Sequence, residues 1–336
     1  MKSFKKVLAV LLCALFVAAA FAGCTPSADP NKGNENQDLK VAILQYMPHS
    51  SLDNCTQGIA KALDNAGIAY DIQIGSSGSA YADCESYAAQ MAAADYDLII
   101  PVATPAALTA YAAVRNASKD IPVVFCAVSD PVEAKLVQSL DAPGNNCTGT
   151  ADAFDIAGQV ALIKQLQPEI KNLGVLYTDS EANSISQLRT LQAECDAAGI
   201  NLIAQGIHEA AELAEAASVL IPKVDAITNL TDNNVVDNMQ VFLSQAEEAG
   251  VPVYGSEIEQ VKKGCLASAS LDYVALGERT GEMAIEILKG ANASEYAVVT
   301  VVDSFVVINS DIAEKLGITI PAELSGVETV KTETAE

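Results

Sequence analysis

The amino-acid sequence predicts an α/β protein made of two Rossmann-like lobes, whose parallel sheets are joined by a hinge of several strands. Short apolar, β-branched segments alternate from Lys40 onward with segments of helical periodicity, and this alternation is typical of βαβ units. The stretches that begin at Val41 and Leu173 also share one order of strand, polar loop, helix, Ala-Gly-Ile and strand. This repeat favours two similar lobes, although any two βαβ units would look much the same.

Each predicted element follows from a local pattern. In both repeated units a glycine, Gly67 or Gly199, follows the helix at a position that requires left-handed backbone. The amphipathic segment 272–290 predicts a helix after the last strand of the second lobe, and a further strand then crosses back. Such a multi-strand hinge allows two lobes to close on a ligand. The ten predicted strands are Val41–Tyr46, Tyr70–Ile74, Leu98–Ala103, Pro122–Val128, Leu173–Tyr177, Leu202–Gly206, Ala226–Leu230, Val251–Tyr254, Leu266–Ser270 and Phe305–Asn309.

The first residues predict a secreted, lipid-anchored protein. Met1–Lys6 is positively charged, Val7–Ala22 is apolar, and Gly23 precedes Cys24, which is the layout of a secretory signal. The end of this segment resembles the lipobox of bacterial lipoproteins, except at Phe21, and would make Cys24 the lipidated N-terminus outside the cytoplasm. Ordinary secretion is the alternative. The predicted organisation is a signal peptide at 1–23, a flexible tether at 24–38, lobe 1 at 39–149 with helix 272–296, lobe 2 at 150–271 with 297–325, and a polar tail at 326–336.

The composition narrows the range of partners. The 336 residues carry 19 basic and 43 acidic side chains, which gives a net charge of −24 at pH 7. Nucleic acid and anionic membrane surfaces are therefore disfavoured as partners, because both require basic patches. The sequence also lacks a GxGxxG motif after its first strand, a P-loop, a GxSxG elbow and CxxC pairs. We therefore expect no cofactor, no metal site and no enzymatic activity.

Polar side chains collect where the predicted strands end and helices begin. In open α/β sheets these junctions share one edge, where strand ends and helix N-termini bind ligands. Roughly half of such residues are expected to act only as helix caps. A cleft between two such edges nevertheless offers hydroxyls and backbone N–H groups to a carboxylate, and aspartates to an ammonium group, which together suit an amino acid. The junction residues are Ser51, Thr104, Pro105, Ser129, Asp130, Thr150, Asp152, Asn183, Ser184, Asp232, Asn233 and Asp272.

Three tyrosines, Tyr46, Tyr177 and Tyr254, each end a predicted strand. Their rings have the shape to enclose an apolar or aromatic ligand side chain while the hydroxyl stays in water. Packing of each ring on a neighbouring helix is the alternative, and the sequence does not decide between the two.

The order and spacing of these motifs resemble the ABC-transporter substrate-binding lipoproteins of the tryptophan/tyrosine-binding type, over about residues 39–321. The resemblance implies a type I periplasmic-binding-protein fold, with three crossovers and one small ligand in the cleft. It implies as partners an amino acid such as tryptophan, tyrosine or phenylalanine, and an ABC permease with its ATPase. The segments that carry it are "VAILQYMPHSSLD", "ATPAAL", "AVSDPVEAKLV", "TGTADAFD", "VLYTDSEANSISQ", "TNLTDNNV" and "VYGSEIEQVKKGCLASASLDYVALGERTGEMAIEILKG".

The ligand loops of this family fall on the polar junctions. Two positions differ from the usual pattern: Ser129 stands where relatives often have threonine, and Ala151 where they often have serine. We expect Asp232 or Asp272 to lie near the ligand ammonium group. The residues that the resemblance places in ligand loops are Ser51, Thr104, Pro105, Asp130, Gly149, Thr150, Asp152, Asn183, Ser184, Thr231, Asp232 and Asn233, and those expected near the ligand carboxylate are Thr104, Ser129, Thr150 and Asn183.

Two other functions are weighed against transport. The same two-lobed protein would serve as an extracellular ligand-sensing module for a signalling partner, and the sequence hardly separates sensing from transport. A secreted hydrolase with paired carboxylates, such as Asp130 and Asp152, is disfavoured because the usual catalytic motifs are missing.

Overall fold

A computed structural model describes residues 39–301 and 304–333 of the chain. The predicted signal peptide, Cys24 and the tether lie outside these residues. Within them, no helix combines the length and the apolar character needed to cross a membrane.

Strands and helices alternate along the described chain, as the sequence predicts. The strands are β1 (Lys40–Gln45), β2 (Ala69–Ile74), β3 (Leu98–Val102), β4 (Val123–Phe125), β5 (Cys147–Asp152), β6 (Asn172–Thr178), β7 (Asn201–Ile207), β8 (Ala226–Thr228), β9 (Val253–Tyr254), β10 (Ala267–Ser270), β11 (Val299–Val301), β12 (Phe305–Asn309) and β13 (Glu328–Val330). The α-helices are α1 (Ser50–Ala66), α2 (Ala80–Ala93), α3 (Thr104–Asn116), α4 (Ile156–Leu166), α5 (Ala182–Ala198), α6 (Leu213–Leu220), α7 (Asn233–Asp237), α8 (Met239–Ala249), α9 (Ile258–Lys262), α10 (Tyr273–Leu288) and α11 (Ser310–Leu316).

The first lobe is built on a parallel sheet with the strand order β11-β5-β4-β3-β1-β2. Its central strands are continuous apolar runs because helices cover both faces, and Val41, Ile43 and Ile99 are fully buried in this core. The carboxyl ends of β1 and β3 lie side by side, since β1 pairs with β3 in parallel. This is the point where the strand order reverses, at which open α/β sheets bind ligands.

The second lobe contains a parallel sheet with the order β7-β6-β8-β9 and a smaller sheet with the order β10-β12-β13. The two sheets adjoin through backbone bonds, because Leu266 N donates to Val253 O at 2.7 Å and Gly255 N donates to Ala267 O at 3.0 Å. In the smaller sheet, β10 and β12 are antiparallel. The predicted α/β class with parallel sheets is confirmed.

The chain passes between the lobes after β5, before α10 and between β11 and β12. The boundary placed between residues 149 and 150 falls inside β5, which belongs to the sheet of the first lobe. Val299–Val301, assigned to lobe 2 from sequence, pairs with β5 in that same sheet. Glu328–Val330, in the predicted polar tail, pairs with β12. These strands were not predicted, because they are short or, in β5, rich in Thr and Gly rather than apolar residues.

Close contact between α1 and α10 attaches the long returning helix to the first lobe. A Cβ added at Gly277 would lie 2.1 Å from the Cys55 carbonyl oxygen, and one added at Gly58 would lie 2.2 Å from that of Val274. Only glycine fits at such a backbone approach. As a result, the N-terminus of α10, with Tyr273, is held beside the carboxyl end of β5.

Candidate functional site

A small cavity lies between the two lobes, at the carboxyl ends of their central strands. It encloses about 20 Å³ of free space, enough for about one water molecule and far below the roughly 300 Å³ of the smallest typical ligand pockets. The residues that line it come from both lobes and are His49, Ser51, Leu52, Ala103, Thr104, Ala127, Ser129, Asp152, Asn183, Thr231, Asp232, Asn233, Val236, Ser256, Gln260 and Tyr273.

Two residues of the first lobe reach the cavity through unusual backbone. Ala103 and Ala127 follow β3 and β4 with φ values of 83° and 55°, a region that non-glycine residues rarely occupy and that is common at functional sites. The turn at Ala103 places Thr104 at the first position of α3, where its side chain is buried and its Oγ1 has no hydrogen-bond partner among the described residues. The N-terminus of α3 thus presents a free hydroxyl to the cavity.

Asp152 is the carboxylate that the first lobe presents to the cavity. It ends β5, is 3% exposed, and accepts hydrogen bonds from Ser129 Oγ at 3.1 Å and Tyr273 OH at 3.2 Å. Burial raises the pKa of Asp152 to about 6, although both hydroxyl donors act in the opposite direction. The group therefore carries a negative charge at pH 7 and gains from a cation beside it.

Asp232 is a structural carboxylate of the second lobe. Its two oxygens accept hydrogen bonds from Thr178 N at 2.5 Å, Thr178 Oγ1 at 2.8 Å, Ser184 Oγ at 2.6 Å and Val235 N at 3.0 Å. These four donors tie the end of β6 to α5 and to the start of α7. Because a carboxylate has about four acceptor positions, Asp232 retains little capacity for a ligand.

Glu181 is a second buried carboxylate of this lobe. Its Oε2 accepts from Asn183 Nδ2 at 3.0 Å, from Asn233 N at 3.1 Å and from Asn233 Nδ2 at 2.6 Å. Burial, followed by the nearby charge of Asp232, raises the pKa of Glu181. These bonds leave Asn183 Oδ1 buried and without a partner among the described residues.

Direct hydrogen bonds join the lobes across the cavity. Gln187 Nε2, on α5 of the second lobe, donates to Ser129 Oγ of the first lobe at 3.1 Å. Two bonds within the second lobe hold Gln187 in place: its Nε2 donates to Thr231 Oγ1 at 2.6 Å, and its Oε1 accepts from Thr231 N at 2.9 Å. Ser129 Oγ and Thr231 Oγ1 are themselves 3.2 Å apart. Further out, Arg189 pairs with Glu133. These contacts hold the lobes together and leave the cavity small.

A second bridge lies on the other side of the cavity. His49 Nε2, just before α1, is 3.1 Å from Asn233 Oδ1 of the second lobe. The Nδ1 atom of the same ring is buried and has no hydrogen-bond partner among the described residues. Burial lowers the pKa of His49, an effect larger than the opposing bond to Asn233, so that the ring is neutral at pH 7.

The sequence comparisons identify the family. Residues 40–331 match the family described as ABC transporter substrate binding protein. Over 324 residues the chain is 35% identical to the tyrosine-binding protein of Clostridioides difficile (strain R20291), covering 93% of this chain and 92% of that protein. This chain belongs to the ABC transporter substrate-binding protein family. The prediction of an extracytoplasmic solute-binding component of an ABC importer is thereby confirmed, and its relatives are binding proteins rather than enzymes.

Solved structures of similar proteins agree with this assignment. The domain from Streptococcus pneumonia in complex with L-Trp is 33% identical, with a TM-score of 0.83 over 87% of this chain and 99% of that chain. A ligand-free, open structure of a substrate binding protein with adhesive properties from Clostridium difficile is 35% identical, with a TM-score of 0.66 over 88% of this chain and 100% of that chain. At similar identity, this substrate-binding protein is thus closer in overall geometry to the L-Trp complex.

A more distant structure shares the fold alone. The glucose-galactose binding protein from Geobacillus stearothermophilus is 16% identical, with a TM-score of 0.61 over 80% of this chain and 97% of that chain. The two-lobed α/β architecture predicted from sequence is therefore the one found in periplasmic binding proteins.

The structure brings seven of the twelve predicted ligand residues of this binding protein to the cavity. Thr150 lies deeper along β5 than Asp152 and bonds to Thr280 on α10 at 2.7 Å. Asp272 is exposed and caps α10 through Ala275 N. The residues that line the cavity are Ser51, Thr104, Ser129, Asp152, Asn183, Asp232 and Asn233, and those that do not are Pro105, Asp130, Thr150, Ser184 and Asp272.

Sequence reasoning did not assign several cavity residues of this binding protein. Tyr273 is adjacent to the predicted site residue Asp272, and Gln260 lies one turn after Glu257, the N-cap of α9. The three tyrosines that end strands do not line the cavity; Tyr254 is fully buried, with its hydroxyl bonded to Gln167. For Tyr254 the structure favours the alternative of packing on a neighbouring helix, because Gln167 directly follows α4.

Proposed function

We propose that this substrate-binding protein binds a zwitterionic aromatic amino acid between its lobes and delivers it to an ABC permease and its ATPase. The observation that carries the proposal is the set of unpartnered buried polar atoms, Thr104 Oγ1, Asn183 Oδ1 and His49 Nδ1, on residues that line one cavity. Unpaired buried groups each carry a free-energy cost of about 1–3 kcal/mol. A ligand that pairs with them recovers that free energy.

The ligand carboxylate is assigned to the first lobe. The N-termini of α1 and α3 approach the cavity with Ser51 and Thr104 in their first turns. Helix N-termini attract anions through free N–H groups and the helix dipole. The hydroxyl of Thr104 is free to donate to a carboxylate oxygen. No lysine or arginine is among the described residues that line the cavity, so these donors replace an ion pair.

The ligand ammonium group is assigned to Asp152 and Asn183. Asp152 is ionised at pH 7, and each of its oxygens accepts one hydrogen bond from a hydroxyl, which leaves lone pairs free. Asn183 Nδ2 already donates to Glu181 Oε2 and to Thr231 O, so that only its acceptor Oδ1 is free. This assignment replaces Asp232, whose acceptor positions are filled, and Asp272, which lies outside the cavity.

An aromatic side chain on the ligand is consistent with the ligands of related proteins and with the apolar residues that line the cavity. The relatives include a protein named for tyrosine binding and a structure in complex with L-Trp. Leu52, Ala103, Ala127 and Val236 supply apolar surface beside the polar groups, the usual composition of a small-molecule site.

Binding requires the lobes to separate first. An amino acid cannot fit in about 20 Å³, so the contacts of Ser129 with Gln187 and Thr231 must open before the ligand enters. Reclosure then excludes water, which strengthens each hydrogen bond to the ligand. We further propose that the lipid on Cys24 keeps the protein at the outer face of the cell membrane; Cys24→Ser would release it into the medium.

Calorimetry of the purified protein against the twenty amino acids tests the proposal. We expect one binding site, with aromatic amino acids as the tightest ligands and no measurable binding of aspartate or lysine. Absence of binding by every amino acid would overturn the proposed ligand class.

A further inference from the structure

We infer that His49 selects ligands whose aromatic side chain carries a hydrogen-bond donor, so that tyrosine and tryptophan are bound in preference to phenylalanine. The inference rests on the proposed function, and it adds a residue that decides which aromatic amino acids are accepted.

Hydrogen bonds to the Glu181 carboxyl group, on the side of Asn233 away from His49, fix the orientation of the Asn233 side-chain amide. Glu181 Oε2 lies 2.6 Å from Asn233 Nδ2 and 3.1 Å from Asn233 N. The Asn233 backbone N–H can only donate, so Glu181 Oε2 acts as an acceptor, and a proton on this carboxyl group is placed on Oε1. The NH₂ side of the Asn233 amide must therefore face Glu181 Oε2. The Asn233 carbonyl oxygen Oδ1 therefore faces the opposite way, toward His49.

This orientation fixes the tautomer of His49. The Asn233 Oδ1 atom, 3.1 Å from His49 Nε2, is an acceptor only, so Nε2 must carry the proton and donate it. Burial lowers the pKa of His49, which makes the ring neutral at pH 7. In a neutral imidazole only one nitrogen bears hydrogen, and Nδ1 is therefore a bare acceptor.

The bare Nδ1 atom belongs to a residue that lines the cavity. It is shut off from solvent and has no partner among the described residues. Leu52, one turn further along α1, and Val236, on α7 with Asn233, also line the cavity and give this part of it apolar character. A ligand group that occupies this part of the cavity must carry a hydrogen-bond donor, because a group without a donor leaves His49 Nδ1 unpaired.

Tyrosine and tryptophan satisfy this requirement, whereas phenylalanine does not. The phenol O–H and the indole N–H are both donors, and each sits on an otherwise apolar ring. Sites built to pair with a substrate hydroxyl reject the analogue that lacks it, because their buried polar group is then left unpaired. The ligand ammonium group is not the expected partner of Nδ1, since Asp152 and Asn183 Oδ1 offer it a charge and a free acceptor.

Affinities measured by calorimetry test the selection. For the unmodified protein we expect tyrosine to bind about 5- to 150-fold more tightly than phenylalanine, and 4-aminophenylalanine, which restores a donor, to bind more tightly than phenylalanine. In His49→Leu the tyrosine-to-phenylalanine ratio should fall to near one, mainly through weaker tyrosine binding. His208→Leu, on a 76% exposed side chain, is the control and should keep the original ratio.

Nitrogen NMR provides a second readout that needs no substitution at the site. The chain has only two histidines, so ¹⁵N-histidine labelling with His208→Leu for assignment isolates the ring of His49. We expect a neutral ring protonated at Nε2, and a change at Nδ1 when tyrosine or tryptophan binds but not when phenylalanine binds. Equal affinity for phenylalanine and tyrosine, or an Nδ1-protonated ring, would overturn the inference while leaving the proposed function intact. Failure of all amino acids to bind would instead overturn the proposed function.

Discussion

Replacement of Asp152 by asparagine separates ligand binding from stability. The side chain keeps its size but loses the charge assigned to the ligand ammonium group. Loss of a buried, charge-assisted contact is expected to weaken binding by about 2–4 kcal/mol, or about 30- to 700-fold. The folding stability of the Asp152→Asn variant should not fall along with its ligand affinity. Burial raises the pKa of Asp152 from 3.8 to about 6, so the ionised carboxylate destabilises the folded protein at pH 7.5 by about 3 kcal/mol, which asparagine avoids.

Calorimetry with L-tyrosine or L-tryptophan, paired with thermal melting at pH 7.5, measures both effects. Asp141→Asn is the control, because it removes the same charge from an exposed residue that does not line the cavity; its affinity should stay within about threefold of the original. A melting temperature that is unchanged or higher is expected for Asp152→Asn. Undiminished affinity in this variant would refute the assignment of Asp152 to the ammonium group.

The remaining predictions concern pH, helix packing and lobe closure. Ligand affinity should fall about tenfold between pH 7.5 and pH 5, because Asp152, with a pKa of about 6, is then mostly protonated; a flat pH profile contradicts this. Gly277→Ala should destabilise the protein by about 3 kcal/mol or more, because the new Cβ meets backbone at 2.1 Å, whereas Gly326→Ala, with open space around it, should have the same melting curve as the original. Gln187→Leu should enlarge the ligand-free radius of gyration in small-angle scattering, unlike Gln192→Leu on the exposed side of the same helix; equal radii would show that Gln187 does not hold the lobes together.

The fold was predictable because apolar strand runs and helix patterns alternate so regularly. All ten predicted strands are present; Phe305–Asn309 has the predicted bounds, and the other nine differ at one or both ends. The missed strands show the limit of that signal. Cys147–Asp152 has hydroxyl and glycine residues where a buried strand usually has branched apolar ones. Gly149, at φ 154°, belongs there for steric reasons, because a Cβ added to it would lie 2.0 Å from the Phe125 carbonyl oxygen. Two further strands were missed because each has only three residues at the edge of a sheet and is recognisable only from its pairing with a neighbouring strand. They are Val299–Val301, which pairs with β5, and Glu328–Val330, which pairs with β12.

The candidate site was only partly predictable, because sequence locates the junctions but not the depth or the partners of each side chain. Thr150 and Asp152 are two residues apart in β5, yet only Asp152 reaches the cavity. Asp232 also reaches the cavity, but its carboxylate oxygens already accept hydrogen bonds from residues of its own lobe. His49 depends on a chain of contacts through Asn233 to Glu181, more than 130 residues away in sequence. Such a chain has no local pattern and becomes visible only in three dimensions.

A crystal structure of the protein grown with L-tyrosine tests the central claim most directly. We expect one tyrosine between the lobes, with its nitrogen in hydrogen-bond contact with the Asp152 carboxylate and Asn183 Oδ1, and its carboxylate at the N-terminus of α3 beside Thr104. A tyrosine bound elsewhere on the protein, or bound between the lobes with its carboxylate toward Asp152, would contradict the account.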